Sequence, residues 1–469
     1  MIKTTFITIV SLLILAGNTV GIALETTKKI ENIMNIQNLL QEYLEDNGTP
    51  GAAVALIDHG KIQFFYSGNM AIDGNPVTED TIFEIGSITK VFTTLALMDM
   101  VDKGMVQLDD PVEKYLLGEK VPELDGKKIT LRHLATHTSG IPRMPDNFAP
   151  KDPSNPYQDY TVERLYDYLQ SCTLAKAPGD ALEYSNVGMG LLGHILSTRS
   201  EKNYEELIQS LIAQSLNMPN TSVSITNEVT ANFASGHHLQ QTVNHWDFTS
   251  AFAGAGAFRS NIKDMANFLA ANMREMSSPL SSVLLKCHEK QYEVTPDTAF
   301  GLGWVLSKSN GAELIWHNGG TGGFRSYLGF NPKTQKGVVV LSNSTEDWPD
   351  EFGLLILDPD YQRPIVDKTL ANNPEYLNKF VGSYGIVFPD DLSKQHLQIS
   401  VFGKLLASAL SGGEVGMLYP ESHGVFGVKG FPDGKVYFSF DDSGNISNVE
   451  ACLFSNGTIL WKATPTQAQ

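Results

Sequence analysis

Strand-forming patterns stand at both ends of a long helical stretch, which requires distant parts of the chain to meet in one sheet. Near the start, Ala52 to Ile57 and Ile62 to Ser67 are apolar-rich runs joined through Asp58-His59-Gly60-Lys61, the pattern of a hairpin. A lone hairpin buries too little surface to stand in water, so it needs further strands. These reappear only after Leu302: Gly303 to Ser307, a turn at Ser309-Asn310-Gly311, Glu313 to His317, Phe324 to Phe330 and Gly337 to Ser342. Between the two sets, helical periodicity alternates with Pro-rich loops such as Pro142 to Pro156. The fold class expected is α+β, an antiparallel sheet flanked by helices with a helical subdomain. A helix over residues 29 to 47 is read from Ile30, Ile33, Ile36, Leu39, Leu40 and Tyr43.

At 469 residues the chain exceeds what one core usually holds. A Pro-rich linker from Asp358-Pro359-Asp360 to Pro374 separates residues 24–360 from 371–469. In the latter, short alternating segments are divided by Pro432-Asp433-Gly434, Asp442-Ser443-Gly444-Asn445 and Ser455-Asn456-Gly457. That pattern predicts a small antiparallel β domain, barrel-like.

Residues 1–23 combine Lys3, the apolar run Phe6 to Ala16, and small residues at Gly21 and Ala23. They read as a secretory signal peptide, too short to span a bilayer comfortably, so the mature chain is expected to be periplasmic or secreted without a stable membrane span. A net charge of −18 repels phosphate backbones and argues against nucleic acid as a partner. Cys172, Cys287 and Cys452 show no metal spacing. No cofactor is expected, and nothing here fixes an oligomeric state.

Chemistry concentrates in Phe83-Glu84-Ile85-Gly86-Ser87-Ile88-Thr89-Lys90. On a helix, Ser87 and Lys90 share one face, about 5–6 Å apart between Cβ atoms. A serine hydroxyl is a weak nucleophile until a base takes its proton, and a desolvated lysine can be that base. Ser260-Asn261-Ile262-Lys263 has the same spacing but precedes an apolar-periodic run, so Ser260 reads as a helix N-cap.

Two further clusters favour Ser87. Tyr184-Ser185-Asn186 precedes a helix and offers a phenol for proton relay and an amide for a substrate peptide group. Trp316-His317-Asn318-Gly319-Gly320-Thr321-Gly322-Gly323-Phe324-Arg325 reads as a glycine-rich strand edge that a substrate backbone can approach. It lacks the phosphate-loop pattern. His133 and His137 have zinc-like spacing without the metalloprotease glutamate and read as structural, and His237, His238 and His245 read as loop or partly buried imidazoles. There is no Gly-x-Ser-x-Gly elbow, which argues against an α/β-hydrolase.

Taken in order, Ser-x-x-Lys, Tyr-x-Asn and His-x-Gly resemble the penicillin-recognising serine hydrolases, in particular class C β-lactamases and low-molecular-mass D-Ala-D-Ala carboxypeptidases and endopeptidases. Leu131-Arg132-His133-Leu134-Ala135-Thr136-His137-Thr138-Ser139-Gly140-Ile141-Pro142 and Thr321-Gly322-Gly323-Phe324 strengthen the likeness. The resemblance implies a β-lactamase/transpeptidase-like domain with Ser87 as acylated nucleophile. Lys90 would be its proton acceptor or electrostatic partner, Tyr184 the general acid/base, and His317 would stand where relatives carry Lys or His. Asn186 would hold the substrate amide, with Gly320, Thr321 and Arg325 lining the rest; the Ser87 and Gly320 amides would form the oxyanion hole. Which of Lys90 and Tyr184 takes the first proton stays open. Peptidoglycan peptides, β-lactams and esters are the implied substrates; a catalytically idle cell-wall binding protein is the alternative of another class.

Overall fold

The computed structural model describes residues 35–466 apart from 117, 364, 365, 389, 390, 411–414, 429, 430 and 454–458. The expected leader and the first turns of the 29–47 helix lie outside the described residues. The rest of that helix is present over 35–47.

Strands from the two ends of the larger domain join in one eight-stranded antiparallel sheet. Its order is Lys61–Gly68, Gly51–Asp58, Lys336–Ser342, Arg325–Asn331, Ala312–Gly320, Val305–Ser309, Thr298–Phe300, Tyr292–Thr295. Ala52 pairs with Ser67 on one side and Ser342 on the other, so the N-terminal hairpin is completed by a strand from far along the chain. Asn310 and Gly311 both take positive φ, the geometry of the tight turn read at that point in the sequence.

Helices cover both faces of the sheet. Ala53, Ala55 and Ile57 join the larger core, packed with Phe268 and Leu269 of the helix Ile262–Asn272. Ala52 and Val54 join the second core, with Leu40 and Tyr43 of helix 35–47 and Trp348 and Phe352 of Trp348–Leu357. Alternate residues of one strand therefore feed two separate cores, the period-two consequence of a sheet buried on both sides.

The helix Thr89–Asp102 is buried around its circumference, as a helix apolar on all sides must be. Phe92 anchors it by stacking on Phe268 at 4.2 Å between centroids. Just upstream, Ile82–Glu84 pairs with Arg259–Asn261, and Ile85 N donates to Phe258 O (3.0 Å). The start of the helix is thus held by backbone bonds on the side facing the second Ser-x-x-Lys segment.

Strands from Gly382–Phe388 to Ile459–Pro465 form a closed eight-stranded barrel, sealed by pairing of the first with the last. Closure removes exposed edges. Phe380, Phe426 and Phe438 pack in its core, and the Tyr376 hydroxyl accepts from Gly424 N (2.8 Å), so Tyr376-x-Asn378 is a structural repeat of the Tyr-x-Asn pattern.

The link between barrel and sheet domain passes through Arg363. Its guanidinium lies 4.1 Å from the Tyr43 ring centroid and reaches Glu42 (3.3 Å), Asp46 (3.5 Å) and Glu351 (3.6 Å). Lys404, on the barrel, meets Asp46 at 2.9 Å. Tyr43, Asp46, Glu351, Arg363 and Lys404 wall a cleft there with Leu405 and Tyr419. Arg363→Ala should lower stability by about 1–2 kcal/mol through loss of the cation–π contact and the charge network. Thermal denaturation and protease cutting within the linker measure this; an unchanged melting temperature with unchanged linker cutting would show that Arg363 is not a clamp.

Candidate active site

From Thr81 to Met100 every residue is buried except Ser87. The hydroxyl sits in a tight turn, Gly86–Ile88, leading into the helix. Gly86 has φ +49°, and a Cβ there would lie 2.7 Å from Gly320 N, so only glycine lets the end of strand Ala312–Gly320 abut the turn. Ser326 Oγ donates to Ile85 O (2.9 Å), tying the neighbouring strand to the same turn.

Lys90 Nζ donates to Ser87 Oγ (2.8 Å) and to Ala255 O (2.7 Å). The second bond depends on small residues. Gly254 and Gly193 are so close that a Cβ on either would fall within 3 Å of the other's Cα, which seats the short helix Ala253–Gly256 against the helix Asn186–Ser200. Burial, assisted by the charge of Arg143, holds Lys90 well below the ordinary lysine value. No carboxylate pairs with it among the described residues, so the environment favours the free amine.

Tyr184 completes this group. Its ring lies 4.9 Å below Lys90 Nζ, and 4.3 Å from the His137 ring. Burial pushes the phenol up to about 12, with a hydrogen bond to Ser87 and the Arg143 charge pulling the other way. At neutral pH the phenol therefore keeps its proton. The two groups have opposite assignments: an amine ready to accept and a phenol ready to donate.

His317 belongs to the same site, where burial and then the nearby Lys90 push its imidazole down to about 3. Its Nδ1 donates to Asn318 O (2.5 Å), which leaves the Nε2 lone pair as an acceptor. Position 317 therefore supplies no positive charge at neutral pH.

Ser185 caps the helix Asn186–Ser200, its Oγ accepting from Gly188 N (2.9 Å). That cap places Tyr184 before the helix and Asn186 at its first position. Asn186 Nδ2 reaches Met144 Sδ (3.9 Å), the side chain also bonds with Tyr157, and Oδ1 is buried with no partner. An orphaned buried acceptor is suited to an incoming N–H donor.

The remaining residues read from the sequence are placed differently. Gly320 ends its strand opposite Arg325. Thr321 N donates to Phe324 O (3.0 Å), and its hydroxyl lies beside Glu84, whose carboxyl burial raises and Arg259 and Thr321 lower. Arg325 is held by Asp350 at 2.6 Å, while Asn318 Nδ2 donates to the other Asp350 oxygen (2.6 Å). Its charge is compensated within the fold.

The rival motif comes apart. Ser260 is fully buried against Thr221 Oγ1 (2.8 Å), while Lys263 is half-buried and pairs with Asp80 (2.7 Å). Contrary to the sequence reading, Ser260 is not the N-cap: it lies in the short strand Arg259–Asn261, and Asn261 Oδ1 caps the next helix by accepting from Asp264 N (2.9 Å).

His133 fills a capping box with Thr130, as a structural histidine would. His237 is buried with Nδ1 donating to Asn343 O (2.9 Å), and His238 meets Thr345 Oγ1 (2.9 Å). His137 does more than the sequence indicated. Its Nδ1 accepts from Ser185 N (3.1 Å) and its ring backs Tyr184, with φ +56°. Sequence reasoning also missed Arg143 and an aromatic wall of Tyr157, Phe248 and Trp246. Tyr157 stacks on Phe248 at 4.5 Å, and Phe248 lies 3.0 Å from where a Gly256 Cβ would be. A positive-φ histidine in Thr-His-Thr-Ser-Gly was the one local signal available.

Residues 36–358 match the Beta-lactamase family. The chain belongs to this family of serine hydrolases and is an enzyme of that class. A Beta-lactamase of Yersinia enterocolitica is 31% identical over 361 residues, covering 68% of this chain and 88% of that protein. The D-alanyl-D-alanine-carboxypeptidase/endopeptidase AmpH of Escherichia coli (strain K12) is 30% identical over 312 residues, 63% of this chain and 80% of the relative. A solved class C beta-lactamase shares the fold at 23% identity with a TM-score of 0.61, covering 70% of this chain and 96% of that one.

Lys90→Met should slow acylation by about 10²–10⁴-fold, the usual contribution of a positioned base. It should also alter stability. Lys90 lies below 10.5 when folded, so between its folded value and 10.5 the unfolded chain binds the extra proton and stability rises with pH. Removing the amine should flatten that rise and increase the melting temperature at neutral pH. Melting curves across the pH range, alongside acylation rates, read both effects; an unaltered pH slope would mean that Lys90 stays protonated in the fold.

Proposed function

We propose that this chain is an exported, periplasmic or secreted, serine hydrolase that works through an acyl-enzyme on Ser87, cleaves D-Ala-D-Ala or related D-amino-acid peptide bonds of peptidoglycan, and binds penicillin. The observation that carries the reading is the buried Lys90 amine 2.8 Å from the exposed end of Ser87. Ser87 Oγ attacks the carbonyl carbon as its proton passes to Lys90 Nζ. The Ser87 and Gly320 amides receive the developing oxyanion. Tyr184 gives a proton to the departing amine of D-Ala and recovers one from Lys90, leaving an ester at Ser87. Water attacks that ester with Tyr184 or Lys90 as base, releasing the shortened peptide. Asn186 Oδ1 holds an N–H of the acyl half of the substrate, while His317 Nε2 accepts at the leaving-group side.

Peptidase action is supported by the relative named as a carboxypeptidase/endopeptidase, while the uncharged His317 offers no fixed cation to the carboxylate of either a β-lactam or a D-Ala-D-Ala peptide. The second reading, hydrolysis of β-lactams, is supported by the Yersinia enterocolitica relative. Both use the same acylation step and differ in how fast water reaches the ester.

Intact mass spectrometry of the mature protein with a penicillin, run beside a D-Ala-D-Ala peptide, separates them. A lasting adduct with D-Ala release is the expected result. A fleeting adduct with rapid loss of the lactam establishes the second reading, and an absence of both adduct and D-Ala release overturns both. Ser87→Ala should abolish the covalent signal, whereas Ser260→Ala should retain it.

A further inference from the structure

Four of the chain's arginines hold carboxylates: Arg132 with Asp109 (2.7 Å), Arg259 with Asp247 (3.2 Å), Arg325 with Asp350 (2.6 Å) and Arg363 with its three acids. That is the ordinary outcome in a protein with 52 acidic and 34 basic residues. Of the other four, Arg164 and Arg199 donate to backbone carbonyls, while Arg143 and Arg274 do neither among the described residues, and of these two Arg143 is the one that meets Tyr184. The side chain is exposed, and its guanidinium meets no carboxylate and no hydrogen-bond acceptor among the described residues. Its one recorded contact is with the Tyr184 ring, 5.2 Å from Cζ to centroid.

The backbone beneath Arg143 is fixed. Pro142 O accepts from Ser185 Oγ (2.8 Å), and Arg143 O accepts from Asn186 N (3.0 Å). Gly140, at φ +75°, makes the bend that brings this segment over the Tyr184–Asn186 turn. A guanidinium with five donors therefore stands beside Asn186, on the acyl side of Ser87, over the ring of the proton donor. The other guanidinium of the site, Arg325, is already neutralised by Asp350, and His317 is uncharged. An open, unpaired cation on a rigid base is a binding group awaiting an anion.

We infer that Arg143 binds a carboxylate carried on the acyl half of the substrate, so that the site selects acyl donors bearing a negative charge next to the bond it attacks. The inference rests on Ser87 acylation, though not on the substrate being a peptide. Stem peptides with a free side-chain carboxylate belong to the selected class, as do penicillins whose acyl side chain bears a carboxylate.

The test compares matched pairs. One pair is two D-Ala-D-Ala peptides that differ only in whether the acyl-side carboxylate is free or amidated. The other is two penicillins that differ only by a carboxylate on the acyl side chain. Acylation is followed by intact mass, D-Ala release by chromatography, and affinity by calorimetry on the Ser87→Ala protein. The wild type should favour the carboxylated member of each pair. Arg143→Gln should reduce that ratio by about 10- to 100-fold, the range of a hydrogen bond to a charged group, and Arg143→Lys should restore part of it. Preference in the penicillin pair with no peptide cleavage would retire the peptidase reading and leave this inference standing. Equal handling of the two penicillins by the wild type, or an equal loss on both members in Arg143→Gln, would overturn it. If neither pair acylates, the affinity ratio on Ser87→Ala decides in the same way.

Discussion

A lysine amine buried against a serine hydroxyl is the interaction around which this molecule is organised. Taking an unpaired ammonium out of water costs on the order of several kcal/mol, and the cheaper response is to lose the proton. The fold enforces that choice by surrounding residues Thr81 to Met100 on every side and letting only Ser87 reach the surface. Ala255 O holds the amine from behind, within hydrogen-bond distance of the Ser87 hydroxyl. The surrounding core supplies the stability that this arrangement consumes. Phe92, Phe258 and Phe268 are packed immediately around the same helix, and each buried ring contributes about 1.5–3 kcal/mol.

Sheet and helical subdomain divide the work. The sheet presents a strand end at Gly320 and locks the serine turn through Ser326 and the glycine at 86. From the helical side come Tyr184 and Asn186, on either side of a helix cap with His137 behind, the groups to which the proposed function gives proton transfer and amide binding. Because Ser185 binds both Gly188 N and Pro142 O, one serine joins the Tyr-x-Asn turn to the loop that carries Arg143. Displacement of either loop would therefore reach the phenol, the substrate amide and the guanidinium together.

What could be read in the sequence was local in origin. Ser87 and Lys90 meet because three residues separate them on a helical turn, and Tyr184 and Asn186 are neighbours across a cap; both relations survive any tertiary arrangement. The sheet was legible because apolar alternation and the Asn310-Gly311 turn are local too. Ser260 was misread by one position, since serine and asparagine are comparable caps and the strand pairing with Ile82–Glu84 carries Ser260 inward. His137, Arg143, Tyr157, Phe248 and Trp246 converge through loops far apart in sequence, and no periodicity marks them. The closure of the barrel and the Arg363 network likewise depend on pairings over long separations.

Electrostatic balance gives the site its direction. A neutral imidazole at 317 and a compensated Arg325 leave the leaving-group side without net positive charge, although a guanidinium stands within that strand pair. On the opposite side, the charge of Arg143 acts on four groups, adding to the lowering of Lys90 and His137 and opposing the upward push of burial on the Tyr184 and Tyr157 phenols. If an anionic acyl donor binds at Arg143, its charge would offset only that part of the field, since burial is the larger cause of the low Lys90 value.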